Sequence, residues 1–328
     1  MPIQKLLPVG PSGPLDATRG FLRQVWDRAA LDGLFIPAWA DGQDDPRPAL
    51  LNSPGQLERA DPYAPLMVLN TAPHILALVT DNPGQHLGAV LRPCELRSLR
   101  ELARRQGADL GGLLLISPDC LATFPLEDFD WRVHNAAAIE KITDEALHFA
   151  AQGGILPSRL RPTCQACELP FPADADIHIA VLGIETDRHL ILGFRDAGLL
   201  GRLEFQSQPD PPADLLARRD RVLSKLTEWR QRSRAYAESH LEAEQASIQG
   251  LVRHLRGCEN CRAWISKACP FFPQAWEQTA SGQRMNDLEA SWLLSCGGCG
   301  MCDHACPDGY PLSTVIGHLA RKAAATAL

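Results

Sequence analysis

A chain of 328 residues, 45% hydrophobic and 22% charged, has material for two domains and a well-filled core. Its formal net charge of −7 provides no basic footprint for nucleic acid, and no apolar run approaches the roughly 18 to 20 residues of a membrane span. Residues 1 to 8 lack the apolar stretch of a secretion signal. The eleven cysteines are therefore expected in a reducing cytoplasm, where clustered thiols serve metal or redox chemistry more often than disulfides.

Residues 15 to 32 carry Phe21, Leu22, Val25, Trp26 and Ala29 at helical spacing with Gly33 as a stop, which predicts an amphipathic helix. From 37 to 65 the chain is rich in Pro, Gly and Asp and reads as loops. Apolar runs at 66–69, 75–79 and 87–91 read as buried strands. The stretch from Cys94 to Gly107 has helical periodicity, and 113–116 supplies the next strand. Strand, helix, strand predicts a βαβ unit and a largely parallel sheet. An acidic and aromatic segment follows (Glu127, Asp128, Asp130, Trp131), then a helix over 136–151, a Cys164-x2-Cys167 loop, and strands at 177–182 and 190–194. Pro209-Asp210-Pro211-Pro212 marks a boundary. Beyond it, 213–256 alternates Arg, Glu and Leu, which predicts one long helix or a hairpin of two with a solvated charged face.

The segment running from Cys296 through Cys299 and Cys302 to Cys306-Pro307 reads Cys-x2-Cys-x2-Cys-x3-Cys-Pro. That spacing brings three thiolates of one short loop onto a cubic four-iron cluster, and the fourth serves a second cluster where one exists. A zinc knuckle takes two Cys-x2-Cys pairs and leaves the further cysteines and the proline without a role. Upstream, Cys258, Cys261 and Cys269-Pro270 follow the same template with Trp264 where a cysteine belongs. Two arrangements are open. Cross-ligated halves put one cluster on Cys296, Cys299, Cys302 and Cys269 and leave Cys258, Cys261 and Cys306 as a three-thiolate site that is filled or empty; unpaired, Cys296, Cys299, Cys302 and Cys306 hold a single cluster. His304 lies inside the loop, where it either tunes the cluster or meets solvent. Trp264 and Trp292 are expected as a hydrophobic shell.

Cys94 opens a helix and Cys120 ends a strand on the same expected edge of the sheet, and Cys164-x2-Cys167 adds a pair at metal-binding spacing. These four hold a third cluster, work as a redox dithiol, or are small buried hydrophobes. His74, His178 and His189, beside strands, read as satisfied core or edge residues. No Gly-x-Gly-x-x-Gly, phosphate loop or Gly-x-Ser-x-Gly elbow is present.

Four groups of residues carry a family resemblance: Arg92-Pro93-Cys94-Glu95-Leu96-Arg97; Ser117-Pro118-Asp119-Cys120; Cys164-x2-Cys167 with Pro170 and Ala175-Asp176-Ile177; and Ala305-Cys306-Pro307 with Pro311-Leu312. On these the chain resembles the beta subunits of deazaflavin (coenzyme F420)-linked formate dehydrogenases and hydrogenases, over residues 75 to 320. The resemblance implies an electron conduit. Clusters pass electrons between a catalytic subunit and an FAD that serves a deazaflavin, a nicotinamide or an electron-carrier protein. Trp264 departs from the pattern.

The expected architecture is an α/β domain over 1–208, a helical spacer over 209–256 and a small helical dicluster ferredoxin-like domain over 257–328. The expected function is that of an iron–sulfur electron-transfer subunit of a larger oxidoreductase, with the catalytic subunit as partner. Two alternatives stand beside it. One is a heterodisulfide-reductase-like or sulfur-metabolising subunit whose Cys94, Cys120, Cys164 and Cys167 handle a thiol or sulfur substrate. The other is a zinc-binding, non-catalytic assembly protein.

Overall fold

The computed structural model describes residues 2–40, 45–135, 140–155, 159–257, 265, 267–271 and 293–326. The expectations for Cys258, Cys261, Trp264 and Trp292 lie outside the described residues, as does the start of the helix expected over 136–151.

Seven strands form one sheet: β1 (Ile3–Pro8), β2 (Gly33–Ala38), β3 (Arg47–Leu51), β4 (Leu87–Val90), β5 (Leu113–Pro118), β6 (Ile177–Ala180) and β7 (His189–Phe194), in the order β1-β7-β6-β5-β4-β2-β3. The four central strands, β2, β4, β5 and β6, are parallel, and antiparallel pairs close both edges. Parallel strands covered on both faces read as unbroken apolar runs, and Leu87-Gly88-Ala89-Val90 is buried throughout. Alternate side chains leave opposite faces. Val90 and Ile116 enter a core with Phe21, Leu22, Val25 and Trp26 of α1 (Gly13–Arg28). Leu87, Ala89, Leu113 and Leu115 enter a second core with α2 (Ala72–Asp81) and α3 (Pro93–Gln106). The chain is thus a three-layer α/β structure with a largely parallel sheet.

Three segments differ from expectation. Residues 75–79 lie in α2, with Pro73 in its first turn, where the missing N–H costs no bond. A short apolar run does not by itself separate a buried strand from a helix face. Residues 66–69 form no strand: the carbonyls of Ala64 and Leu66 accept from the Arg92 guanidinium, so this backbone is held by a side chain rather than a ladder. Within 37–65, the hairpin β2–β3 replaces part of the expected loop, and β3 keeps Pro48 because an edge strand tolerates a missing donor.

Beyond the sheet come α4 (Leu126–Asn135), α5 (Glu140–His148), the short α6 (Pro162–Gln165) and α7 (Ala197–Arg202). The expected helix pair is α8 (Ala213–Ser239) with α9 (Ile248–Gly257). Then follow α10 (Met301–Ala305) and α11 (Leu312–Thr326). Leu251 and Leu255 of α9 join Leu312, Val315, Ile316 and Leu319 of α11 and the buried Cys302 and Cys306 in a third core. No described helix is long and apolar enough to cross a membrane.

Candidate metal centre

The carboxyl edge of the parallel sheet is where loops converge in open α/β folds. After β4 the chain passes directly into α3. Arg92 is the N-cap, Pro93 the first residue and Cys94 the second. Glu95 reaches back to accept from Arg92 N–H at 3.2 Å, while Thr71 Oγ1 donates to Glu95 Oε1 at 2.7 Å. This capping box explains the motif: Arg92, Pro93 and Glu95 fix the helix start, and Cys94 is what they present.

On the neighbouring strand, Asp119 is fully buried. It accepts from Arg219 of α8 at 2.7 Å and from the backbone N–H groups of Val181 and Leu182 at 2.9 Å, and it lies 2.8 Å from His178 Nε2. Burial would raise this carboxyl, but Arg219 and His178 together hold it well below the ordinary carboxylate range. Asp119 ties the end of β5 to β6 and α8, so the next residue, Cys120, is fixed. Cys120 N–H donates to Pro170 O at 2.6 Å, which draws the Cys164-x2-Cys167 loop to the same edge.

Cys94, Cys120, Cys164 and Cys167 line one hollow, and Cys299 of the terminal motif joins them. Burial raises Cys94 well above the ordinary thiol value, with Cys120, Glu95 and Cys299 adding to it. Cys120 is pushed up to about 11, first by burial and then by Cys164. Cys164 goes the other way: against the effect of burial, Arg161 and a hydrogen bond with Thr123 bring it below the ordinary value. Among the described residues, no three His, Cys, Asp or Glu side chains are arranged to hold a single metal ion. The thiols stand around a hollow instead.

The terminal loop is pressed against this edge. Arg97 of α3 donates to Gly297 O at 2.9 Å. A Cβ on Gly297 would lie 2.8 Å from Cys94 O, and Gly300, at φ +67°, is packed against Thr163. These two glycines are required by close approach, and Gly300 by its left-handed backbone as well. Cys302 is raised well above the ordinary thiol value by burial and then by Asp303, Cys269, Cys296 and Cys299. Cys296, Cys299 and Cys302 share this loop, and Cys269 is the further cysteine close enough to act on Cys302. Cys269 packs against both the α2–α3 core and the terminal core, while Cys306 is buried in the terminal core alone. Every described cysteine is free of disulfides.

The donor set of the hollow fits a thiolate-ligated cluster. Arg161 and Arg230 line it, are 6% and 3% exposed, and have no carboxylate partner among the described residues. Arg230 donates to Cys167 O at 2.8 Å, and its buried Nε has no hydrogen-bond partner. Buried cations that make no salt bridge among the described residues call for negative charge, and four thiolates around iron and sulfide would carry it.

Sequence reading did not find Arg161, Arg230 or Thr123, and the solvated charged face expected over 213–256 is present on α8 except at Arg219 and Arg230. Arg219 and Arg230 point inward, eleven residues apart and so three turns along one face of α8. The signal available was that spacing. His178 is satisfied by Asp119, whereas His189 Nε2 is buried without a hydrogen-bond partner among the described residues and burial lowers the pKa of its ring. His304 is exposed to solvent, and its pKa is lowered by the desolvation of its surroundings and then by Arg161.

The sequence matches no protein-family model. It is 18% identical over 351 residues to the F420-dependent formate dehydrogenase subunit beta of Methanocaldococcus jannaschii, covering 93% of this chain and 88% of that protein. Its fold is similar to a chain of the F420-reducing NiFe hydrogenase complex from Methanosarcina barkeri, with a TM-score of 0.52 and 12% identity, covering 72% of this chain and 92% of that one. The resemblance carried by the Arg92-Pro93-Cys94-Glu95 segment and the terminal cysteines is to the family of this formate dehydrogenase relative.

Proposed function

We propose that this chain, similar along nearly its whole length to a formate dehydrogenase beta subunit, is an iron–sulfur electron-transfer subunit of a multi-subunit oxidoreductase. It passes electrons between a catalytic subunit of formate dehydrogenase or hydrogenase type and a flavin, deazaflavin or nicotinamide acceptor. The observation that carries this reading is the hollow of four thiols beside two buried arginines that make no salt bridge among the described residues, with the terminal cysteine loop docked against it.

In this reading Cys94, Cys120, Cys164 and Cys167 hold one cluster and Cys269, Cys296, Cys299 and Cys302 a second. Cys306 belongs with Cys258 and Cys261. Clusters supply one-electron transfer at potentials set by burial, charge and hydrogen bonds to sulfur. The chain's own residues do the rest. Arg92, Glu95 and Asp119 fix the loops, Arg161 and Arg230 balance thiolate charge, and the layered cores exclude water. Thiols ringing a hollow suit a polynuclear cluster better than zinc, whose ligands all meet one ion at about 2.3 Å. The family resemblance implies FAD as the two-electron partner. No described residue is assigned to a flavin, and no step is derived through it.

Anaerobic purification with iron, acid-labile sulfide, zinc and flavin quantified, and electron paramagnetic resonance before and after dithionite, tests the reading. Iron and sulfide for at least two four-iron clusters are expected. Stoichiometric zinc without sulfide would instead identify an assembly protein.

A further inference from the structure

Arg161 touches both cysteine groups. From the N-cap of α6 its Nε donates to Thr123 Oγ1 at 2.7 Å and its Nη2 to Cys299 O at 3.3 Å. The remaining contacts of the guanidinium are with two thioethers, Met301 Sδ at 3.3 Å and Met67 Sδ at 3.6 Å. Thr123 Oγ1 lies 3.4 Å from Cys164 Sγ. Because Arg161 supplies the proton between Nε and Oγ1, the threonine keeps its own hydroxyl proton for the sulfur. A bonded route therefore runs from Cys164 Sγ through the Thr123 hydroxyl and the Arg161 guanidinium to the Cys299 carbonyl, with one end in each group.

Thioethers are weak acceptors, and a guanidinium taken out of water for them is poorly compensated unless negative charge is near. A guanidinium is not deprotonated in proteins, so the Arg161 side chain stands as a fixed charge between the two groups.

We propose that Arg161 is the shared countercharge of both cysteine groups, a positioning residue that sets the reduction potentials of their two clusters together and links them. The proposal rests on the electron-transfer reading above. In the step it serves, one electron leaves the donor cluster and one enters the acceptor, with no bond made or broken and no proton moved. Reduction adds a negative charge, so a fixed cation favours the reduced form of each cluster.

The test is an anaerobic redox titration of the full chain, followed by electron paramagnetic resonance, for wild type, Arg161→Met, Arg161→Lys and Thr123→Val. Arg161→Met is expected to lower both potentials, read on the loaded chains, each by about tenfold in the reduced-to-oxidised ratio, or about 59 mV for one electron. Arg161→Lys is expected to recover most of both shifts. Thr123→Val is expected to lower the Cys164 group alone. A shift at one cluster or neither, or equal shifts in Lys and Met, overturns the shared role. If Arg161→Met does not load iron, Thr123→Val decides, and no shift in that fully loaded variant overturns the proposal. A wild-type chain without iron and sulfide overturns the electron-transfer reading itself, and this one with it.

Discussion

The two cysteine groups meet at one sheet edge but are built in opposite ways. Cys296, Cys299 and Cys302 share a short glycine-containing loop, so their convergence follows from local spacing. Cys94, Cys120, Cys164 and Cys167 come from three separate segments, and they meet only because β4 and β5 are adjacent and parallel and Pro170 bonds to Cys120. A local motif survives in the sequence as a pattern. A distributed one exists only once the fold does, and its determinants are the residues that hold the loops in place.

The largest expected effect comes from breaking the distributed group at its foundation. Arg219→Met leaves the buried Asp119 with only His178 and two backbone N–H groups against its charge, and is expected to cost about 3 kcal/mol of stability by denaturant unfolding. An unchanged midpoint would mean that Asp119 does not anchor the end of β5. Next, Cys120→Ser is expected to remove the iron of the hollow while leaving the resonance of the terminal cluster, and Cys299→Ser the reverse. Loss of both signals from either variant would show that the groups are one assembly unit.

Gly297→Ala is expected to destabilise the docked loop by about 1–3 kcal/mol, because the new Cβ meets the backbone carbonyl of Cys94. Gly298→Ala, with no neighbour near its Cβ, serves as the control for backbone strain alone. The smallest effect is electrostatic. Ser295, beside Cys296, donates to Glu101 Oε1 at 2.7 Å. A hydrogen bond from Arg104 holds the Glu101 carboxyl down at about 2, with burial opposing and Ser295 and Arg105 assisting. A depressed carboxyl adds stability that is present above the unfolded value near about 4.3 and is lost as pH falls through about 2. Glu101 is partly buried but its cation Arg104 is exposed, so solvent screening holds the effect to less than about 1 kcal/mol. Glu101→Gln should flatten the acid limb of the apoprotein's thermal stability; an identical limb would remove Glu101 from the loop's attachment.

The same contrast explains what was legible in the chain. The terminal spacing announced itself, and the helix from Cys94 to Gly107 could be read from its apolar period and its glycine stop. The run at 75–79 misled because Ile75 and Leu76 are buried against α3, and continuous burial looks alike in a helix and a strand. Strand β1 escaped notice because, as an edge strand paired only to β7, its residues are mostly half-buried and carry no strong alternation. Arg161 and Thr123 could not be found at all. Each is an ordinary polar residue in a loop, and its importance comes from what stands opposite it.

One consequence concerns biosynthesis. Three ligands of the terminal group lie on a stretch that needs no sheet to be contiguous, so iron and sulfide can be delivered to it before the chain has folded. The hollow has no such option: its four thiols come together only after β4, β5 and the Cys164–Cys167 loop are in register, and by then they are hemmed in by α8 and by the docked terminal loop. On the proposed reading maturation is ordered, with the hollow filled before the terminal loop closes over it. Time-resolved iron labelling during refolding should show the hollow losing its capacity to load once residues 296–302 have docked.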